Sequence, residues 1–214
     1  MNEPAKTNLF SAAPAAGLQL AVFDLETTGL SADADDMIEI AVASLNAGQP
    51  VDVFQSLITT DKQLTSVQSM RAGGISNQEL SSAPHLPNVM NQVYRQFSGK
   101  VWVAHNAHRF DAKFMMSAAP NLFGEFDFLD TLPLAQKVLP GLKRLANYKL
   151  DTLCTLFGGS TFQSHQDQTM VRHRAKGDVM SLIPVVNSLL MLLPNPTDVM
   201  PFIKKGKQLW GGSR

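Results

Sequence analysis

The apolar run at residues 18–23 is followed at once by Asp24-Leu25-Glu26-Thr27-Thr28-Gly29, and this junction constrains the fold more than any other stretch. The run reads as a buried strand. Asp24 and Glu26 lie two apart, and on a strand residues i and i+2 point to the same face. Two carboxylates therefore project side by side from the end of a core strand, and Thr27-Thr28-Gly29 turns the chain away. Adjacent carboxylates repel and are costly to desolvate. A hard divalent cation between them offsets both costs, because Mg²⁺ takes its oxygens from a few carboxylates, waters and substrate phosphates. A solvated strand end explains the same pair without a ligand, so the motif alone leaves both readings open.

The rest of the chain supplies a scaffold. Residues 37–45 alternate Ile38, Ile40 and Val42 against Glu39, Ala41 and Ala43, which is strand character. Residues 46–50 read as a hairpin connection and 51–58 as the returning strand, so three strands open the chain as an antiparallel meander. Residues 59–72 read as a polar loop. Ser76 with Glu79 is a capping box that starts a helix. A longer helix over 86–97 puts Val89, Met90, Val93 and Phe97 on one face. Short strands at 101–104 and 126–129 then alternate with helices at 110–118, 131–138, 150–157 and 175–193, the last interrupted by Pro184. Residues 158–171 read as a polar loop. The pattern predicts an α/β fold, a mixed five-stranded sheet flanked by helices. One domain over 18–194 is expected, with a loose arm at 1–17 and a tail at 195–214 carrying Lys204, Lys205 and Lys207.

Composition narrows the setting. The chain has 214 residues, enough for one sizeable core. The first 17 residues lack the basic start and apolar run of a signal peptide, and no apolar run reaches the roughly eighteen residues of a membrane span. No membrane partner is expected. One cysteine, Cys154, excludes an internal disulfide and fits an intracellular, reducing compartment, the cytoplasm or nucleus. It sits among apolar residues and reads as core. Net charge is zero, yet residues 1–100 hold 5 Lys/Arg against 10 Asp/Glu and residues 101–214 hold 13 against 8. A basic second half suits a polyanionic partner; a solvated surface accounts for it equally.

Two later segments add carboxylates. In His105-Asn106-Ala107-His108-Arg109-Phe110-Asp111, Asp111 falls at a helix start, where the dipole favours its ionised form. In His173-Arg174-Ala175-Lys176-Gly177-Asp178 the His and Asp are five apart, about 140° round a continuous helix. If both serve one site, His173 lies on the loop and Asp178 on the first helical turn. Asp24, Glu26, Asp111 and Asp178 with His173 are the set that two-metal phosphodiester hydrolysis requires. Two cations about 3.5–4 Å apart activate a water and stabilise the leaving oxygen. A histidine titrating near neutrality takes the water's proton.

These residues carry a resemblance. Asp24-x-Glu26, Asp111 in its His-Asn segment, and His173-x4-Asp178 match in order the motifs of the DnaQ-like 3′–5′ exonucleases of the DEDDh type. Five residues separate His105 from Asp111 where many members have four. With Asn147-Tyr148-Lys149-Leu150 and Leu129-Asp130-Thr131-Leu132-Pro133-Leu134, this is similar to the TREX and promyelocytic-leukaemia exonuclease-like branch. The chain lacks the TREX proline-rich insert and C-terminal anchor.

The resemblance implies a ribonuclease H-like fold and two Mg²⁺ ions, with Mn²⁺ as a substitute. It implies that Asp24, Glu26 and Asp178 bind the first metal and that Asp111, with Glu26, serves the second. His173 would be the general base. It implies a DNA 3′ end as partner, single-stranded or frayed, and a homodimer as in TREX. Thr27, Leu30, Ala72, His105, Asn106, Arg109, Phe110 and Tyr148 are the implied substrate contacts. His105 also reads as a polar strand cap, and His108 as exposed. Trp102 reads as core and Trp210 as tail, and the lysines at 204–207 as a solvated end or a source of phosphate attraction. An RNA or short-oligonucleotide exonuclease shares the same signature. A noncatalytic nucleic-acid-binding module is the alternative from another class, and it predicts loss of one of the five residues; all five are present.

Overall fold

The computed structural model describes residues 17–140, 146–157 and 174–210. The arm at 1–17, apart from its last residue, the loop at 158–171 and the last four residues of the tail lie outside them. The chain opens with β1 (Leu20–Thr27), β2 (Met37–Asn46) and β3 (Gln49–Leu57). Helices α1 (Ser66–Arg71), α2 (Asn77–Ser81) and α3 (Leu86–Phe97) lead to β4 (Val101–Ala104). Then come α4 (Asp111–Ala118), α5 (Pro120–Phe123), β5 (Asp127–Asp130), α6 (Thr131–Val138), α7 (Leu150–Leu156) and α8 (Ala175–Met191). A 3₁₀ segment, Pro196–Phe202, leads into β6 (Ile203–Lys205) and α9 (Gly206–Leu209).

The sheet order is β3-β2-β1-β4-β5-β6. The first three strands pair antiparallel, β1, β4 and β5 run parallel, and β6 returns antiparallel on β5. Ala47 and Gly48 close the β2–β3 hairpin with φ of 48° and 75°, the left-handed pair that a two-residue turn demands. Ala47 tolerates it; Gly48 adopts it without a Cβ penalty.

Each sheet face has its own core. On one, α8 lays Val179, Leu182, Ile183 and Val186 over Val22, Ala41, Ala43, Val103 and Leu129. Ala41 and Ala43 let the helix approach closely, and Glu39 shares their face. On the other, α3 and α4 cover an aromatic cluster centred on Trp102, with ring centroids 5.0 Å from Phe23 and 5.6 Å from Phe123. Cys154 is buried beside α8, its thiol donating to Ser181 O and pushed up to about 11 chiefly by burial. It is core, as the sequence suggests. No single helix among the described residues is long and apolar enough to cross a membrane.

Three expectations change. The sheet has six strands, not five, because part of the presumed tail forms β6. The lysines there are not a free basic cluster: Lys205 pairs with Asp127 at 2.9 Å and Lys207 with Glu125 at 2.7 Å. Within the presumed loop at 59–72, α1 forms on a Thr65–Gln68 capping box.

Candidate active site

Asp24 and Glu26 leave the end of β1 on one side, and α8 brings Asp178 to them. Ligand oxygens from the three lie within 4.8 Å of one another. Arg174 caps α8 with extended backbone, so Asp178 sits in the first helical turn, as the five-residue spacing requires. His173 directly precedes Arg174 but lies outside the described residues.

A buried ion pair sets this junction. Glu39 stands opposite Glu26 in the β1–β2 register and is fully buried. Arg174 donates to it through Nη2 at 2.8 Å and Nε at 3.0 Å, Ala175 N–H donates at 3.1 Å, and Gln55 Nε2 donates at 2.8 Å. The first residues of α8 are thus bolted to β2 beside the carboxylates. Bidentate geometry and two further donors satisfy Glu39, which a buried charge needs.

Asp111 begins α4 as expected and is buried. It is not one of the three, yet its charge acts on Asp24 ahead of Asp178 and Glu26; backbone N–H groups of its own residue and of Leu25 hold it. The link between β4 and α4 is set from β5. Asp130 accepts from Asn106 N–H at 2.9 Å, from His108 N–H at 3.1 Å and from Leu132 N–H at 2.9 Å, capping α6 with the same carboxylate. Asn106 adopts φ 65°, a left-handed turn that Asn tolerates, and it swings the chain out of β4 toward Asp111.

The charges are under strain. Burial, then Asp111, Asp178, Glu26 and Glu39 in turn, hold Asp24 well above the ordinary carboxylate range. Glu26 is pushed up to about 9 by burial, with Asp178 and Glu39 adding and Arg174 opposing. Burial lifts Asp111 to about 7 against its two backbone hydrogen bonds. Carboxylates kept near one another at this electrostatic cost fit a divalent cation, whose charge reverses each of those terms. All three side chains offer hard carboxylate oxygens, the donor type that hard divalent cations take.

The outer residues divide. Leu30 is 85% exposed beside the site, on a loop fixed by Asp35, which accepts from Ser31 N–H at 2.9 Å. Arg109 and Phe110 line a cleft with it. Thr27 donates through its hydroxyl to Gly29 O at 2.5 Å and holds the turn. Ala72 is buried in a small core with Ile38, Ile75 and Leu80. The Tyr148 hydroxyl donates to Leu139 O at 3.1 Å, and the side chain is partly buried against the α8-side core. His105 meets Thr131 Oγ1 at 2.9 Å and the Tyr148 backbone, and burial lowers its pKa, which fits the polar strand cap. His108 is half-buried, not exposed, with Nε2 2.9 Å from Phe128 O. Glu39, Arg174 and Asp130 escaped the sequence reading. Glu39 had a signal, a lone acid on the inward face of a strand otherwise lined by alanine.

An acidic group at the end of a central strand, closed by a helix N-terminus over a mixed sheet, defines the class: a ribonuclease H-like nuclease domain. The family model RNase_T, described as "Exonuclease", matches residues 21–186. The chain belongs to this exonuclease family. It is 35% identical over 150 residues to the PolC-type DNA polymerase III of Caldanaerobacter subterraneus subsp. tengcongensis, covering 69% of this chain and 10% of that protein. It is 31% identical over 168 residues to the DNA polymerase III subunit epsilon of Treponema pallidum, covering 72% of this chain and 77% of that one. The chain thus spans about a tenth of the PolC-type relatives it matches. Among solved structures, Exonuclease X in complex with 5′ overhanging duplex DNA superposes with a TM-score of 0.64 at 20% identity, over 80% of this chain and 91% of that one. E. coli Exonuclease I in complex with a dT13 oligonucleotide gives 0.65 at 15%, over 83% and 42%.

Proposed function

We propose that this chain is a metal-dependent 3′–5′ exonuclease that takes single-stranded or frayed DNA 3′ ends and releases nucleoside 5′-monophosphates. The convergence of Asp24, Glu26 and Asp178 within 4.8 Å carries the reading. The relatives named for DNA polymerase III, and the neighbours solved with DNA, support DNA as the substrate.

Asp24, Glu26 and Asp178 would hold one Mg²⁺, and Asp111, with Glu26, would serve a second. Bound cations supply an activated water and charge neutralisation at the scissile phosphate. His173 takes the proton from the attacking water. Its neighbour Arg174 is clamped to Glu39, which supports its delivery to the carboxylates. The Thr27 N–H meets the terminal sugar, Leu30 packs on the last base, and Arg109 pairs with a phosphate. The five residues between His105 and Asp111 support the TREX-like branch within the family. A homodimer paired through the β3 edge belongs to the same reading.

The test is a gel assay with 5′-labelled single-stranded DNA and its RNA counterpart, with Mg²⁺ and with chelator. The expected result is a Mg²⁺-dependent ladder shortening from the 3′ end of DNA, lost in Asp24→Asn and His173→Ala. Equal or better RNA trimming moves the substrate to RNA. Cleavage that survives both substitutions sinks the site.

A further inference from the structure

Beside the acidic group lies a cleft of about 410 Å³, lined among others by Leu30, Arg109, Phe110, Lys113, Phe114 and Trp210. Two of its walls adjoin the site along the chain: Phe110 directly precedes Asp111, and Leu30 follows four residues after Glu26. Arg109 and Lys113 are exposed, and among the described residues neither makes an ion pair. Asp33 adds one negative charge to the rim.

Trp210 comes from outside the stretch matched by the family model, residues 21–186. It is held there firmly. β6 pairs with β5, Gly206 N–H donates to Phe126 O at 2.9 Å, and Lys207 N–H donates to Gly124 O at 2.9 Å. Lys205 Nζ reaches Glu125 O and Asp127, each at 2.9 Å. Gly206 lies so close to α5 that a Cβ would stand 2.3 Å from Phe123 O. Leu209 and Trp210 then pack on the aromatic core. This fold-back gives the cleft an aromatic wall alongside two cations that are unpaired among the described residues.

We propose that residues 196–210 are a strand-guiding element: Trp210 and Phe110 stack the nucleotides next to the one being removed, while Arg109 and Lys113 hold their phosphates. The occupant is the single strand leaving the acidic site. Aromatic faces serve any base, and the cations match a phosphate backbone. The assignment rests on the exonuclease reading for the identity of the strand, and it is tested without catalysis.

The full chain is titrated with oligo(dT) of two to eight nucleotides in chelator, following tryptophan emission. Trp102 is buried and stays constant; Trp210 reports the cleft. The expected result is quenching that saturates, with affinity rising with length. Trp210→Ala should abolish the quenching and lower the affinity for the longer oligomers by about tenfold or more. Trp210→Phe should keep most of that affinity. Lys113→Glu, on the exposed face of α4, should weaken binding and reduce its salt dependence without disturbing the fold. An affinity unchanged in Trp210→Ala and Lys113→Glu overturns the proposal. So does tighter binding of duplex ends that depends on Trp210 while single strands ignore it. Mg²⁺-dependent hydrolysis of the p-nitrophenyl ester of thymidine 5′-monophosphate by the wild-type chain reports separately on the exonuclease reading.

Discussion

Glu26 shows how a single side chain can be wrong for stability and right for chemistry. Its carboxyl sits at about 9 because burial, Asp178 and Glu39 all penalise the charge. Replacing it by Gln removes that penalty. In chelator at pH 8, Glu26→Gln should therefore melt several degrees above the wild type in calorimetry, while cleavage falls by about a hundredfold or more. The same shifts set a pH dependence. A carboxyl raised in the fold binds more protons there than in the unfolded chain, whose carboxylates titrate near 4. Its stabilising contribution is complete below that ordinary value and is lost as pH rises through the folded one. For Asp111 and Glu26 the loss runs through about 7 and about 9. The melting temperature in chelator should fall from pH 5 to pH 9, and added Mg²⁺ should raise it more at pH 8 than at pH 6. A rise with pH in chelator would contradict the buried cluster.

At the scale of elements, α8 matters less for its own stability than for where it begins. The Glu39–Arg174 pair joins its first turn to β2, opposite Glu26. Glu39→Gln takes away the carboxylate that grips the half-buried guanidinium, leaving only the weaker pull of Glu79 and Glu26, so a loss of up to about 3 kcal/mol is expected by denaturant titration. Replacing both partners by Met should restore most of that stability, since apolar packing can substitute for a buried pair. It should not restore cleavage or the apparent Mg²⁺ affinity, because Asp178 and His173 lose their anchor. Recovery of both would show the pair to be packing alone. These elements also show what the sequence made legible. An apolar run placed β1, alternation placed β2, a hairpin connection placed β3, and the spacing of His173 and Asp178 placed the latter on a first turn, because all these signals are local. The Glu39–Arg174 contact spans 135 positions, and no local period encodes it. The surroundings of Tyr148 and Ala72 are not legible locally either, since they include Leu139 and Ile38.

At the scale of the molecule, one strand was missed because its three residues, Ile203–Lys205, carry two lysines and no period, and become a strand only by pairing with β5. What makes that docking legible in retrospect is Gly206, where a Cβ would also lie 2.8 Å from Met116 Sδ. Gly206→Ala should cost about 1–3 kcal/mol through overpacking, read as a lower denaturation midpoint with an unchanged slope. An unaltered midpoint would mean that the segment docks loosely. The two rims of the sheet are unequal. At one, β6 is short and lysine-rich, features that discourage further pairing. At the other, β3 runs nine residues with Val51 56% exposed and Val53 42% exposed. Among the described residues, β3 is thus the rim suited to the homodimer proposed above. Two copies meeting β3 to β3 would consume both such rims, so growth would terminate at a closed pair and would not propagate into a fibre.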